Sequence, residues 1–353
     1  MARRAGVSRS TVSVVLNGVT SIAIAAETQQ RVLDAARELG YVPSAAGRQL
    51  ASGKSRTIGL VIAYSEHLKV DAFVPQALYS LNEAAHHRGF RVLVEALEDV
   101  TKPRVYDTLV QGKQIDGLIV LNPRADDRAL PNLIQRGFPV VVIGHAMHGA
   151  TSAQDVDVDN VAAARSVTEH LLALGRTRIA HIPYAPVAHH SSAMRLEGWR
   201  TSMQAAGLDA SDAWVEVADF SAESGELAMA RLLERVEPDA VFAGNDVVAF
   251  GAMTALRAAG RDVPGDVAVA GFDDIPLARH AMPPLTTVRL PAVEMGRQAA
   301  ERLIARIEGT PTRVEDERLL PTQLVVRAST VGGAQVATPS SAYSGTVPRG
   351  RSR

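Results

Sequence analysis

Short apolar runs of strand length recur along the chain from Thr57 onward, and a stretch with helical spacing of apolar residues follows each of them. The seven runs read TIGLVIAY, RVLVEAL, IDGLIVL, PVVVIG, RIAHIPY, AVFAG and VAVAGF. Strands that crossover helices bury on both faces have this continuous apolar composition. The pattern therefore predicts an α/β body built on parallel sheet.

The body is large for one open sheet and suits two similar lobes, with the first four runs in one lobe and the rest in the other. Three extended segments are candidate crossovers between the lobes: VDVDN at 156–160, PPLTTVRLP at 283–291 and LLPTQLVVR at 319–327. We expect an N-lobe of about 58–157 and 290–318, a C-lobe of about 158–289 and 319–328, and a cleft between them.

The residues before the body have a different pattern. Ser8 can cap a short helix with apolar Val12, Val15 and Leu16, which Asn17-Gly18 would end. A second helix is predicted from about Glu27 to Leu39, with Val32, Leu33, Ala36 and Leu39 on one face. The expected division is 1–43 for an all-α headpiece, 44–57 for a linker, 58–328 for the body and 329–353 for a disordered tail.

Charge separates the headpiece from the body. The net charge of the 353 residues is −1, yet residues 1–57 carry eight basic and three acidic side chains, and the tail adds three arginines. The middle of the chain is therefore acidic, and only the head is expected to meet a polyanion. The chain has no cysteine, no apolar run of membrane-spanning length and no secretory signal pattern, so we expect a cytoplasmic protein without a membrane partner.

The segment AGVSRSTVSVVLNG, residues 5–18, has the layout of a helix-turn-helix. A helix end and a glycine-centred turn lead into a second helix that opens with hydroxyl residues and one arginine. On such a helix Ser8 and Thr11 can reach phosphates, while Arg9, Ser10 and Ser13 project towards base edges. The pattern alone is moderately specific, because Ser/Thr-rich helix starts are common caps.

Other motifs do not carry chemistry. GRQLASGKS resembles a phosphate-binding loop, but five residues separate Gly47 from Gly53-Lys54-Ser55 and no strand precedes it. His145 and His148, and the pairs His86-His87 and His189-His190, lack a recognisable metal pattern. No GxSxG elbow occurs. We therefore expect neither an enzyme nor a metal or cofactor site.

Together with ETQQRVLDAARELGYVPSAAGRQLASGKSRTIGLVI, the helix-turn-helix segment resembles the LacI/GalR family of bacterial transcriptional regulators. The resemblance extends from Ala2 to about Ser329 through EHLLALG, MRLEGWR, AGNDVVAFGA, VPGDVAVAGFDDIPLA and PPLTTVRLP. It implies a homodimer that binds double-stranded operator DNA. The implied fold is a headpiece, a hinge helix and a two-lobed domain of parallel Rossmann-like lobes, similar to type I periplasmic sugar-binding proteins.

By position in the family, Arg9 and Ser10 open the recognition helix, Tyr41 lies near the DNA backbone, and Leu50 is the hinge leucine that enters the minor groove. A linker leucine that rests on the body is the alternative for Leu50. Val14 stands where many relatives have an arginine, which predicts a different half-site there. The predicted DNA contacts are Ser8, Arg9, Ser10, Thr11, Ser13, Val14, Asn17, Tyr41, Arg48 and Leu50.

The start of the chain also departs from the family. Relatives carry a further turn of the first helix and have valine where this chain has Met1. Small folding units tolerate little loss of core. We expect that a valine codon was taken as the start codon and gives Met1 here, so that the natural protein begins upstream of this position.

The effector residues are expected at the carboxyl ends of strands. The resemblance matches Arg195, Asn245 and Asp273 to positions that hydrogen-bond the effector and Phe220 to an aromatic that packs on it; Tyr64 and Phe73 are further candidates. A forked donor, an amide and a carboxylate beside an aromatic face suit a sugar or a nucleoside. The alternatives are that the polar groups pair only with one another, and that Tyr64 and Phe73 belong to the core.

The sequence thus predicts a cytoplasmic, dimeric, DNA-binding transcriptional regulator, and more specifically a repressor, whose operator affinity depends on a small ligand. The rival prediction is a small-molecule sensor that has lost DNA binding through its shortened headpiece. Salt dependence separates the two, because phosphate neutralisation makes affinity fall steeply with salt.

Overall fold

The computed structural model describes residues 1–16, 22–41, 47, 49, 53–63, 67–70, 72–97, 99–102, 104–144, 155–310 and 319–332. Asn17, Arg48, Leu50, Tyr64, His145, His148 and residues 333–353 lie outside the described residues, as do residues 44–46 and 51–52 of the linker. The chain divides into two compact units. Unit 1 comprises 1–159, 187–193 and 291–321, and unit 2 comprises 160–186, 194–290 and 322–353.

The described part of the headpiece contains three helices, α1 (Ala2–Ala5), α2 (Arg9–Leu16) and α3 (Ala26–Glu38). Gly6 ends α1 in the left-handed conformation, with φ 66°, which glycine adopts without steric cost. A small core joins the helices: Val12, Val15 and Leu16 of α2 pack against Ala5, Val32 and Ala35. The predicted glycine-centred turn and the apolar face of α2 are therefore confirmed.

The predicted apolar face of α3 was partly wrong. Val32 and Ala36 are buried, but Leu33 is 40% exposed and Leu39 is 55% exposed, and Ala35 takes the core position instead. A core of small side chains on two short helices covers only a narrow stripe of α3. The leucines at the edge of that stripe remain in contact with solvent.

Unit 1 contains a six-stranded sheet in the order β10-β5-β4-β3-β1-β2, in which every neighbouring pair is parallel. The four apolar runs of the N-lobe form three of its four interior strands, β1, β3 and β4, and the edge strand β2. The strands are β1 (Thr57–Ile62), β2 (Arg91–Ala96), β3 (Gly117–Leu121), β4 (Val140–Ile143), β5 (Asp155–Val158) and β10 (Leu319–Leu320). The connecting helices are α4 (His67–Val70), α5 (Phe73–His87), α6 (Asp107–Gln111), α7 (Ala129–Gln135) and α12 (Ala292–Glu308).

The last residues of the linker are held on unit 1 by one carboxylate. Asp116 accepts hydrogen bonds from the backbone amides of Ser55 (2.7 Å) and Arg56 (2.8 Å). It also accepts from the Ser55 hydroxyl at 2.9 Å. The entry to β1 is therefore fixed by a charged acceptor just before β3.

Unit 2 contains a parallel three-stranded sheet in the order β6-β7-β8 and an antiparallel pair, β11-β9. The strands are β6 (Ile179–Ile182), β7 (Ala240–Ala243), β8 (Ala268–Ala270), β9 (Thr287–Arg289) and β11 (Gln323–Val325). The helices are α8 (Asn160–Ala173), α9 (His190–Ala205, of which 190–193 belong to unit 1), α10 (Ala222–Arg235) and α11 (Asp246–Ala258), with 3-10 turns at Asp212–Trp214 and Ala278–His280. All seven predicted runs thus form strands of parallel sheets, which confirms the predicted fold class.

The chain passes between the units after Asp159, Leu290 and Pro321, within the three extended segments. Residues 187–193 also belong to unit 1, which the hydrophobic pattern does not predict. The prediction of disorder from Ser329 was wrong for the first tail residues. Ser329 is fully buried, and its hydroxyl donates to the carbonyl of Val269 at 2.6 Å. Over the described residues, no helix combines the length and the apolar character needed to cross a membrane.

A histidine lies in the centre of unit 2. His181 on β6 is fully buried between the rings of Trp199 and Phe242, at centroid distances of 5.7 and 4.7 Å. Its Nδ1 lies 2.8 Å from the Phe242 carbonyl oxygen and therefore carries the ring proton. Burial lowers the pKa of His181 to about 3. The folded chain therefore holds this imidazole neutral at any moderate pH.

This histidine makes stability depend on pH. Below about pH 6.5 the unfolded chain binds a proton at His181 while the folded chain does not, which costs about 1.4 kcal/mol per pH unit. The stability is complete above that pH and is lost as the pH falls towards the folded-state pKa of about 3. We expect His181→Phe to lower the pH dependence of the unfolding free energy by this slope between about pH 6 and pH 4. Urea unfolding at several pH values measures the slope; parallel profiles for the two proteins would contradict the prediction.

Candidate functional site

The start of helix α2 is organised by the Ser8 side chain. The Ser8 hydroxyl accepts from the backbone amide of Thr11 at 3.0 Å, and the Ser8 carbonyl accepts from Val12 at 3.1 Å. The hydroxyls of Ser10 and Thr11 lie 2.6 and 2.9 Å from that of Ser8. This is the N-cap that the sequence predicts. It gathers three hydroxyls at the N-terminal end of the helix, an arrangement suited to an anion.

The side of α2 opposite the headpiece core is available to a partner. Arg9, Ser10 and Ser13 are exposed, whereas Thr11 and Val14 are half-buried. Within the described residues Arg9 forms no ion pair, unlike Arg4, whose Nε lies 2.7 Å from Glu38. Tyr41 follows α3 with about half of its surface exposed. The assignment of these residues to DNA contact stays a prediction.

In unit 2 the predicted effector residues converge on one buried guanidinium. Arg195 of α9 is 5% exposed. Its Nε donates to the Asn160 side-chain oxygen at 3.1 Å, and its Nη1 donates to the Gly244 carbonyl at 2.5 Å. The same Nη1 lies 3.6 Å from a carboxylate oxygen of Asp273. Burial of a charged group is tolerated because hydrogen bonds and an opposite charge compensate it.

Aromatic rings hold the same guanidinium from its faces. The Arg195 Cζ lies 3.7 Å from the centre of the Phe272 ring and 4.7 Å from that of Tyr184. Phe220 meets Tyr184 edge to face at 5.0 Å, and its amide donates to the Tyr184 carbonyl at 2.7 Å. Phe220 adopts φ 71°, an uncommon backbone conformation for an aromatic residue. The Phe220 ring therefore packs on the Tyr184 side of the site.

Asn245 has a structural role of its own. It is buried directly after β7, and its side-chain oxygen accepts from the Val248 amide at 2.7 Å, which caps α11. The preceding Gly244 supplies the carbonyl that Arg195 binds; a Cβ there would lie 2.7 Å from the Tyr184 amide nitrogen. The cap uses the Asn245 oxygen, and the amide NH2 is the group that can donate to a ligand.

The structure thus brings four predicted residues together, directly or through one neighbour: Arg195, Phe220, Asn245 and Asp273. It also realises part of the alternative interpretation, because Arg195 and Asp273 pair with each other. Phe73 begins α5 in unit 1 and is 9% exposed, which is a core position. Sequence reasoning missed Asn160, Tyr184 and Phe272, although Asn160 lies in the predicted crossover VDVDN and Phe272 in the family motif VPGDVAVAGFDDIPLA.

Asp246, the first residue of α11, directly follows Asn245. It is fully buried and accepts from the Thr287 hydroxyl at 2.5 Å and from the Ile275 amide at 2.9 Å. Burial raises the pKa of Asp246 to about 7. Its contacts fix the loop after β8, which carries Asp273, to β9.

Unit 1 has its own polar cluster at the end of β3. Asn122 adopts φ 50°, and its side-chain oxygen accepts from the Ser191 hydroxyl at 2.9 Å. His189 is buried beside them, and burial, followed by the charge of Arg124, lowers its pKa to about 4. Ser191 and His189 come from residues 187–193, so the sequence pattern could not place them at this strand end.

Comparison with known proteins covers nearly the whole chain. Residues 1–44 match the family described as bacterial regulatory proteins, lacI family, and residues 168–330 match the periplasmic binding protein-like domain. The chain is 38% identical over 335 residues to the HTH-type transcriptional regulator CelR of Thermobifida fusca, covering 93% of this chain and 96% of that protein. It is 31% identical over 336 residues to the HTH-type transcriptional repressor CytR of Escherichia coli K12, covering 94% and 95%.

Two solved structures extend the comparison. The transcriptional regulator CelR-cellobiose complex has a TM-score of 0.71 at 35% identity and covers 93% of this chain and 98% of that one. The lac repressor dimer bound to operator and the anti-inducer ONPF has a TM-score of 0.79 at 28% identity and covers 93% and 97%.

Proposed function

The chain belongs to the lacI family of bacterial regulatory proteins, and from this premise we propose that it is a cytoplasmic repressor whose operator affinity is set by a sugar bound at Arg195. The relatives are transcriptional regulators and not enzymes. The observation that carries the effector assignment is the buried Arg195, Asn245 and Asp273 constellation.

Helix α2 is the proposed reading element. Its N-terminal turn offers the Ser8, Ser10 and Thr11 hydroxyls, which suit phosphate oxygens. Arg9 stands on the exposed side of the same turn, where a guanidinium can donate to the O6 and N7 atoms of a guanine. Val14 offers a methyl-bearing side chain to a thymine methyl, and Leu50 remains the predicted minor-groove wedge.

The proposed effector is a carbohydrate. Each sugar hydroxyl both donates and accepts, and the site supplies a guanidinium, an amide and a carboxylate beside aromatic rings. The CelR structure contains cellobiose, which makes cellobiose the first compound to test. A nucleoside is the second candidate class, because its ribose offers hydroxyls and its base offers a face for Phe220. Binding that favours one state of the protein shifts operator affinity, by about 5- to 150-fold in typical cases.

The dimer contact is proposed on α11 and the segment after the Ala278–His280 turn. A groove of about 350 Å³ is lined by Phe250, Met253 and Thr254 on one side and by Met282 and Pro283 on the other. Met282 is 86% exposed. Met282 and the apolar groove beside it together form the surface proposed for the dimer contact, and a two-fold axis would place each Met282 against the partner's surface.

The rival function is a sugar sensor that does not use DNA. Arg9 is exposed and forms no ion pair with the residues that the structure describes, and the N-cap of α2 is formed; both favour the DNA-binding function, because a disused headpiece has no need of either. A chain that binds sugar but no operator at any salt concentration would establish the rival.

We expect Arg9→Ala to weaken binding to a specific operator by about 1 to 3 kcal/mol, since it removes a bidentate base contact. The operator is first selected from a two-fold-symmetric library and then titrated by fluorescence anisotropy at two salt concentrations. Arg165→Ala is the matched control, because Arg165 is an exposed arginine on α8 that pairs with Glu169. An equal loss on random DNA would show that Arg9 contacts only phosphates.

Asn245 separates ligand binding from helix capping. Asn245→Ser retains a capping oxygen but lacks the amide NH2, so we expect an unchanged urea midpoint and a cellobiose affinity lower by about tenfold. Asn245→Ala loses the cap as well, at about 1 kcal/mol of stability. Isothermal titration with cellobiose and a nucleoside panel measures the affinity. An unchanged cellobiose affinity in Asn245→Ser would show that Asn245 acts only as a helix cap.

The dimer surface is tested by Met282→Glu. A carboxylate at the proposed contact is desolvated without a partner, so the variant should be monomeric at concentrations where the unaltered protein is dimeric. Leu227→Glu is the control, since Leu227 is also an exposed apolar residue but lies on α10. Sedimentation velocity reports the species present. Persistence of the dimer in Met282→Glu would place the contact elsewhere.

A further inference from the structure

The loop after β8 contains two consecutive residues with unfavourable backbone geometry. Asp273 has φ 112° and Asp274 has φ 53°, values that side-chain-bearing residues rarely adopt. Such conformations persist only where the surroundings hold them, and they cluster at ligand sites and switch regions. Asp273 is the carboxylate that faces Arg195. Asp274, next to it in the chain, is held by contacts with β9 and with Arg327 after β11.

The backbone of this loop continues the β9-β11 pair. The Asp273 amide donates to the Val288 carbonyl at 2.8 Å, and the Asp273 carbonyl accepts from the Leu290 amide at 3.3 Å. β9 then pairs with β11 in antiparallel register, with Arg289 opposite Gln323. Any displacement of Asp273 therefore acts first on β9 and next on β11.

The Asp274 carboxylate joins the same two strands by charge. One oxygen accepts from Arg289 Nε at 2.7 Å, and the other accepts from Arg327 Nη2 at 2.6 Å. Arg289 ends β9, and Arg327 lies two residues after β11. Arg327 also donates to the Leu285 carbonyl at 2.7 Å. The Asp274 amide donates to the Thr287 hydroxyl at 3.3 Å.

The positions of β9 and β11 in the chain give these contacts their significance. The chain leaves unit 2 directly after β9, at Leu290, and returns to it directly before β11, at Thr322. The carboxylate that binds these two strands is thus the sequence neighbour of the carboxylate in the effector site. The Asp274 side chain is buried, whereas Arg289 is 52% exposed, so one arm of the contact lies at the surface.

We propose that Asp274, Arg289 and Arg327 form a clamp that couples the effector site, through Asp273, to the strands leading out of unit 2. The clamp residues are positioning residues that need not touch the ligand. The proposal rests on the proposed function in that the coupled event is the change in operator affinity. A ligand that binds Arg195 or Asp273 in place of their mutual contact displaces the strained loop after β8. Because the clamp joins this loop to β9 and β11, the displacement moves both strands together.

The decisive variant is Arg289→Gln, because it removes the exposed arm and leaves Arg327 to neutralise the buried carboxylate. We expect the cellobiose affinity of this variant to lie within about twofold of that of the unaltered protein. In the unaltered protein the ligand is expected to change operator affinity by about 5- to 150-fold, and the variant should lose most of this change. Arg289→Lys retains the charge and should restore part of the change. Arg231→Gln, which breaks the exposed pair with Glu216 in the same unit, should leave it unaltered.

The outcomes separate the clamp from the proposed function. If the unaltered protein responds to ligand and Arg289→Gln responds equally, the clamp is overturned and the function stands. If the unaltered protein does not bind an operator, or no sugar or nucleoside alters that binding, the proposed function fails.

The clamp is then decided by amide hydrogen exchange in the ligand-free protein. We expect Arg289→Gln to raise exchange severalfold both in β11 and at the amides of residues 271–275, and Arg231→Gln to raise neither. A rise confined to β9, with residues 271–275 unchanged, would overturn the clamp.

Discussion

Burial of the Arg195 guanidinium is the constraint around which unit 2 is arranged. A cation taken out of water loses its hydration and must recover that free energy from fixed partners. Here the partners are the Asn160 amide oxygen, the Gly244 carbonyl, the Asp273 carboxylate and the rings of Phe272 and Tyr184. They come from the start of α8 and from segments that follow β6, β7 and β8. One side chain therefore fixes the relative positions of the carboxyl ends of three parallel strands.

The same constraint explains why the site can respond to a ligand. Arg195 and Asp273 are satisfied by each other at 3.6 Å, a distance at which the Coulomb attraction is present and a close hydrogen bond is not. A sugar hydroxyl can enter such a pair without leaving either charge unpaired. Asp273 also has a strained backbone conformation, as does Asp274 after it. A change in the contacts of the Asp273 carboxylate therefore acts on a loop that is already strained.

The headpiece relies on a different balance. Its core consists of Ala5, Val32 and Ala35 with the apolar face of α2, and so small a core provides little stability by itself. The Ser8 cap and the left-handed Gly6 add local order at the turn where the partner contacts are expected. Helix capping and the Gly6 turn thus fix the position of Arg9, and burial of the small core adds to the stability of the headpiece.

Local patterns were enough to determine the seven strands of the apolar runs, the parallel sheets, the helix-turn-helix and its cap, because periodicity and capping act over a few neighbouring residues. The family motifs likewise located Arg195, Asn245 and Asp273. Only the tertiary structure decided that Ala35 rather than Leu33 enters the headpiece core, that Ser329 is buried, and that Ser191 meets Asn122. It also decided the pairing of Asp274 with Arg289 and Arg327. These contacts join residues that are distant in the chain, and their free energy depends on distance and desolvation, which exist only once the strands are assembled.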